Sequence, residues 1–423
     1  MNQKFSSEKP TDGLRGKKRL SRICLFSLIP AVEIGIICAA SLLSLLLSSC
    51  NLKSGVVNIS NLPKTDSTLV ISDTNYIEIQ PPWGGFDDPK DIKIGSDDIL
   101  YVTEPNDNRI AMVNLAGAII GYSQYVERPV AIAEDRRFNL IIACEFDTTV
   151  GGQTVTVAAI AKIRLFNYDH DISAAPVEIV YHESPQQKIT RDPVTGTLIS
   201  GREYTGVGVL PVAPQPEDNN GYYVTRSGNN NTSSVDPDNM VLHFNQNDQE
   251  YPSDLINLVP SLVPTGTGFV AINQISNITT FNTKQYGTDF VLTQTDPANA
   301  FKVKWITFNP GSELFAPSWD SKFSLSSTSY PSGKLPDILS GVFVAPQAVM
   351  VDDRSNIYVI DSFLDSLMKF DLTGKLLHES FGPSKSGNAL LHPSGITYFN
   401  KIVYIGDTGH NRILRYELST DLK

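Results

Sequence analysis

The residues able to do chemistry in this chain are thinly spread. Its six histidines, His170, His182, His243, His378, His392 and His410, stand apart, with no HxH, HExxH or Cys/His cluster to form a local zinc site. No GxSxG elbow marks a serine nucleophile. Cys144 ends the apolar run Leu140-Ile141-Ile142-Ala143-Cys144, where a thiol is a small buried hydrophobe rather than a nucleophile. Oxygen ligands for a hard cation are more plentiful. Asp91, Asp352, Asp353 and Asn273 lie on or beside expected inner strands, and the stretch from Gly228 to Asn239 is rich in Asn and Asp. None of these shows the ligand periodicity of a calcium loop. Such oxygens suit a hard cation such as calcium, and no motif demands a cofactor.

One chemical pattern does recur. In Tyr404 to Leu418, YIGDTGHNRILRYEL, an apolar run ends at Asp407, four residues later comes Asn411 with Arg412, and a second alternating run follows. Glu104, Asn108 and Arg109 keep that spacing, and Asp361, Asp365 and Ser366 keep it with Asp and Ser replacing Asn and Arg. Alternation of period two on both sides of Gly, Asn and Asp turn chemistry predicts hairpins. A group needed in several units is structural, so the repeated acid with its Arg is read as tying each hairpin by charge-assisted hydrogen bonds.

A proline-led strand precedes each hairpin: Pro89 to Ile92, Pro346 to Val349 and Pro393 to Ile396. Repeats of roughly 40 residues built from short strands suggest propeller blades. The units at 83–125, 343–382 and 390–418 carry the pattern, 127–183 carries it in part, and 204–258 and 264–318 count as blades by strand content. The fold class is therefore all-β, a six-bladed propeller. The last unit lacks a fourth strand, and the alternating Tyr76-Ile77-Glu78-Ile79 is expected to supply it, closing the ring from the N-terminal side.

These segments resemble NHL repeats, whose propellers usually have six blades. Peptidyl-hydroxyglycine lyases, which resemble NHL propellers, place zinc-binding histidines directly after the proline of certain inner strands. Here those positions hold Lys90, Val130, Gln347 and Ser394, which departs from the lyase pattern. Calcium-dependent lactonases of propeller fold supply a second enzymatic comparison. A channel-centred, metal-dependent lactonase or lyase-type enzyme is thus the alternative to a binding protein.

The first 49 residues read as an address rather than a fold. Lys17-Lys18-Arg19 and Arg22 precede an apolar run interrupted by Pro30 and Glu33, and the run ends in Leu47-Ser48-Ser49-Cys50. A basic region, an apolar core and small residues form a secretory signal. Leu-Ser-Ser-Cys resembles a bacterial lipobox, which implies lipidation at Cys50 and attachment to the inner or outer membrane, facing the periplasm or the cell surface. Residues 1–49 are assigned to the signal, 50–67 to a flexible tether and 68–423 to the propeller. With Cys24 and Cys38 in the signal and Cys50 lipidated, Cys144 has no intrachain partner.

The first 49 residues carry +4 of the chain's −11, which leaves −15 on the rest. Such a body repels polyphosphate and excludes nucleic acid as a general partner. The expected partners are the membrane, through Cys50, and a protein or glycan; the protein is expected to be a monomer. Long insertions separate Glu145 from Ala161 and Arg226 from Asn239, and further excursions run over 184–203 and 311–342. In a four-stranded blade these connections emerge on one face, where a rigid scaffold with variable loops builds a binding rim. Tyr168, Tyr204, Phe315, Trp319 and Tyr330 are the aromatic candidates for that rim.

Overall fold

The structure, a computed structural model, describes residues 76–185, 189–191, 198–213, 218–229, 237–251, 272–309, 318–323, 336–339, 342–380 and 390–418. The signal, the tether, Thr68 to Ile71, Phe315 and Tyr330 lie outside the described residues.

Six sheets form a ring of six blades, so the all-β propeller is the fold. Blade 1 runs Ile92–Ile94, Leu100–Glu104, Arg109–Val113 and Ile119–Tyr122 from the channel outward. Blades 4, 5 and 6 are likewise four-stranded, and the described residues of blade 3 form three strands, Arg202–Val209, Tyr222–Gly228 and Met240–Phe244. The ring closes as expected: Tyr76–Glu78 pairs antiparallel with Tyr416–Leu418, making the N-terminal strand the outer strand of blade 6. Trp83 extends the join by exchanging hydrogen bonds with Ile413, 2.9 and 2.8 Å long. Its ring lies under the Arg415 guanidinium, 4.5 Å from the centroid. It also fills the space over Gly117, where a Cβ would lie 2.3 Å from the indole. Gly117 adopts φ +87°, so both conformation and contact require glycine there.

The core is six cores, one at each junction between blades. Tyr101, Ile110, Leu140 and Ile163 pack between blades 1 and 2, and Trp305, Phe323, Val359 and Phe370 between blades 4 and 5. Both faces of a middle strand therefore meet a neighbouring blade. This explains why all five residues of Leu100–Glu104 and all five of Ile357–Asp361 are buried, without apolar-polar alternation.

The repeated acid and Asn have separate tasks. Glu104 accepts from Arg109 Nε at 2.8 Å and Asp407 from Arg412 Nε at 2.7 Å, tying the hairpin as the sequence implies. Each acid also holds the segment leading into its own blade, through Asp87 N, Ala345 N and Leu391 N for Glu104, Asp361 and Asp407. The Asn position ties a blade to the next one. Asn108 accepts from Arg128 N, Asn239 from Gln274 N, Asp365 from His392 N and Asn411 from Asp88 N, all at 2.8–2.9 Å. Asn108, Asp365 and Asn411 are left-handed, with φ of 53°, 47° and 53°. Asn and Asp tolerate that region better than other side chains. The partners Asp88, Arg128, Gln274 and His392 are left-handed too, with φ between 41° and 53°.

The insertions depart from simple loops. In blade 2 the extra residues lengthen the second and third strands to Asn139–Val150 and Gln153–Arg164, joined by Gly151-Gly152 at φ 57° and 79°. That two-residue turn with both φ positive matches strand twist, so the insertion is a rigid hairpin arm. The 184–203 excursion folds in part as Ile189–Arg191 paired with Leu198–Ser200, and the latter joins the arm in parallel at Val155 and Thr156. The 311–342 excursion needs correcting. Ser318–Ser321 within it is the outer strand of blade 4, paired with Ile306–Asn309. The excursion is therefore not a single loop between the outer strand of blade 4 and the inner strand of blade 5.

Asn411→Ala removes the tie from blade 6 to blade 1 and places a Cβ residue in the left-handed region. It is expected to cost about 1–3 kcal/mol, read as a lower denaturant midpoint with an unchanged slope. Asn411→Gly, which restores the conformation but not the hydrogen bond, should lie between the two.

Candidate functional site: the arm-bearing face

The inner strands present their outermost backbone groups to the central channel, where an unpaired N–H or C=O is costly. Side chains from adjacent blades answer several of them. Ser394 Oγ donates to Lys90 O and Ser276 Oγ to Pro346 O, both at 2.6 Å, and Asp91 Oδ2 accepts from Ile132 N at 2.9 Å. Burial pushes the Asp91 carboxyl up to about 6, although the backbone donors of Ile132 and Ile92 and the nearby Lys93 and Lys90 oppose it. Burial likewise lowers the Lys93 ammonium.

The channel opens into a cavity at each end. On the arm-bearing face a cavity of 530 Å³ is lined by Lys90, Val130, Gln347 and Ser394, together with Ser276 and Glu203. The four positions that follow inner-strand prolines thus converge at this mouth, and they carry an ammonium, an amide, a hydroxyl and an isopropyl group. On the opposite face a cavity of 420 Å³ is lined by Asp91, Lys93, Glu134, Arg136 and Asp353. Asn277 lines both.

Beneath the arm-side mouth, between blades 2 and 3, lies a buried charge network that sequence reasoning missed. Glu183 accepts from Arg226 Nη1 at 2.8 Å, from Arg202 Nη1 at 3.3 Å and from the Tyr204 hydroxyl at 3.1 Å. Arg202 Nε also donates to Asp238 Oδ1 at 2.9 Å. All four charged side chains are 5% exposed or less. Removing one partner from such a network leaves a buried charge unmatched. A trace of it in the sequence is Arg226, which stands where blades 1, 5 and 6 carry the repeated acid.

The rim candidates fare unevenly. Tyr204 is 2% exposed and packs in the core between blades 2 and 3, so it is no rim contact; its hydroxyl is engaged by Glu183. Tyr168 is 39% exposed but follows the third strand of blade 2, which puts it on the face opposite the arm. Trp319 lies on the outer strand of blade 4 against Phe308, Phe290 and Tyr223, with ring centroids 4.6–6.0 Å apart. The exposed apolar residues of the arm-bearing face are others: Phe363 at 69%, Tyr125 at 66%, and Val342 and Val344. Phe363 and Val344 are neighbours because the Asp361 carboxylate accepts from both backbone N–H groups. A signal for Phe363 existed, since it occupies the turn position where the sister repeats hold Asn106 and Gly409.

The expected oxygen ligands do not gather. Asp352 is occupied by its own turn, accepting from Arg354 N and from Asn356 N at 2.9 Å. Asn273 sits between Asn239 and Asp296, at 3.0 and 2.9 Å. Among the described residues no three His, Cys, Asp or Glu side chains are placed to share one ion. His410 pairs with Asp407 at 2.8 Å and His392 sits at the blade 5–6 tie, where its ring approaches Ser362 O at 3.4 Å.

No family model matches the chain, and no curated protein is similar to it in sequence. Among solved structures, an auxiliary nutrient binding protein from Bacteroides ovatus superposes with a TM-score of 0.51 at 10% identity, covering 82% of this chain and 77% of that one. A gluconolactonase from Xanthomonas campestris gives 0.45 at 11% identity over 82% and 90%. Virginiamycin B lyase from Staphylococcus aureus gives 0.43 at 11% over 81% and 99%. At such identities the likeness is one of fold. The chain is a six-bladed propeller, a fold it shares with the nutrient binding protein.

Cys144 is 2% exposed in the blade 1–2 core, and burial pushes its thiol up to about 12. The folded protein is expected to be inert to a thiol-specific disulfide reagent at pH 8 and to release one equivalent of reporter from this residue on unfolding. Rapid labelling of the native chain at Cys144 would contradict this burial.

Proposed function

We propose that this protein is a lipid-anchored propeller of the bacterial cell envelope that binds a protein or glycan partner through its arm-bearing face. The observation that carries the reading is the concentration of features there: the 530 Å³ mouth, the hairpin arm and the exposed Tyr125, Val344 and Phe363. Hydrogen-bonding groups that fix orientation beside apolar surface are what a recognition site needs. Lys90, Gln347 and Ser394 suit hydroxyl and carboxylate groups, as a glycan presents, better than they suit a divalent ion. The fold likeness to a nutrient binding protein is compatible with this use and adds no ligand.

The address rests on the sequence before Cys50. Lipidation there, followed by the Ser- and Asn-rich stretch to residue 67, would hold the propeller near a membrane surface.

Binding to a glycan array and to envelope proteins immobilised from the native membrane tests the reading. Gln347→Ala with Lys90→Ala, and separately Phe363→Ser, should each weaken capture by about tenfold. Phe166→Ser, at a 68% exposed position on the opposite face, should leave it intact. Capture insensitive to both arm-face variants, or lost with Phe166→Ser, would overturn the assignment of the face.

A further inference from the structure

The second strand of blade 2 has an edge that its neighbour does not cover. The inner strand Ala131–Glu134 pairs with it only from Leu140 to Ala143, whereas its pairing with the third strand continues to Val150. Above Ala143 the backbone groups of Glu145, Asp147 and Thr149 face the uncovered side, because Val130 N donates to Ala143 O and Glu145 N donates to Glu127 O. In an antiparallel strand alternate residues face alternate edges. The Asp147 N–H is held by the Glu127 carboxylate. Among the described residues no strand occupies this edge beyond Ala143, which leaves the carbonyls of Glu145 and Asp147 and both backbone groups of Thr149 without a strand partner. Such an edge is a template for another extended chain.

The chemistry around the edge is one-sided. Burial raises the Glu127 carboxyl, and the nearby charges of Asp147 and Glu145 add to the effect. Arg128 pairs with Glu145, which leaves two negative charges in excess. Tyr125, 66% exposed, lies beside Glu127 and Asp147. Acids on one side and an exposed aromatic ring alongside suit ammonium or guanidinium groups.

We propose that the free edge of the arm at Glu145 to Thr149 takes an extended, basic peptide segment of a protein partner by strand addition. Main-chain hydrogen bonds to the Asp147 carbonyl and to both backbone groups of Thr149 hold the segment. Its Lys or Arg side chains, at alternate positions, meet Glu127 and Asp147. The inference rests on the reading of the arm-bearing face as the binding face and narrows its partner to a protein with an extended basic stretch.

The test is fluorescence anisotropy of the full-length chain with a labelled hexapeptide of alternating Lys and Val, and with its Glu and Val counterpart. The basic peptide should bind at least about tenfold more tightly, with affinity falling as salt rises. Thr149→Pro removes an edge N–H that the arm's own ladder does not use, and should cost about tenfold. Asp147→Asn keeps the Thr156 hydroxyl bond to that side chain, 2.6 Å in the wild type, and should weaken binding and flatten the salt dependence. Equal binding of the two peptides, or affinity unchanged by Thr149→Pro, would overturn the proposal. Loss of peptide binding while capture at the Lys90 and Gln347 mouth persists sinks this inference alone; the reverse sinks the mouth reading alone.

Discussion

Ring closure is the constraint on which everything else in this molecule depends. A propeller blade cannot bury its faces by itself, because each middle strand is apolar on both sides and needs a blade on either side. The six cores therefore exist only if the ring is complete, and completion falls to Tyr76–Glu78 on Tyr416–Leu418 and to Trp83 against Ile413. Cys144, the one cysteine among the described residues, is free, and a strand ladder and an indole under Arg415 do here what a covalent staple would do elsewhere. The ties from Asn108, Asn239, Asp365 and Asn411 repeat one joint, blade to next blade. That joint sets the lead-in of four inner strands in the left-handed region and so places the residues that open the channel.

The parts of this design that repeat were legible in the sequence, and the parts that occur once were not. Asp407, Asn411 and Arg412 announced a hairpin because their sisters at Glu104, Asn108 and Arg109 share the spacing, and the count of strands called for Tyr76 to Ile79 at the end of the ring. Even blade 3 kept the joint, with Asn239 bound to Gln274 as its alignment implied. Tyr204 failed as a rim residue because it sits inside a strand, Arg202–Val209, on the side buried against blade 2, a fact that proximity to a long insertion conceals. Trp319 failed because a short outer strand lay hidden in a segment poor in period-two alternation. The Glu183 network, built from four separate segments, has no local spacing to read.

The two faces of the ring are chemically distinct. One carries the arm, the exposed Phe363 and Tyr125 and a mouth of Lys, Gln and Ser side chains. The other carries the Tyr168 connection between Arg164 and Val177 and a mouth with Asp91, Lys93 and Glu134 crowded together, where burial raises the acids and lowers the lysine. The described insertion of blade 2, the hairpin arm from Asn139–Val150 to Gln153–Arg164, works on the first face. Adding residues there lengthens a sheet that is already rigid, so the arm is placed by the same ladder that builds blade 2. Recognition by such a surface requires no motion of the propeller itself.

The measurement that bears most directly on binding, as against metal-assisted chemistry in the channel, is a pair of crystal structures of the full-length protein, one grown with calcium and one with a chelator. The account predicts the same mouth in both, with Lys90, Gln347 and Ser394 lining a water-filled cavity. An ion held there by three or more protein oxygens, present with calcium and lost with the chelator, would contradict it.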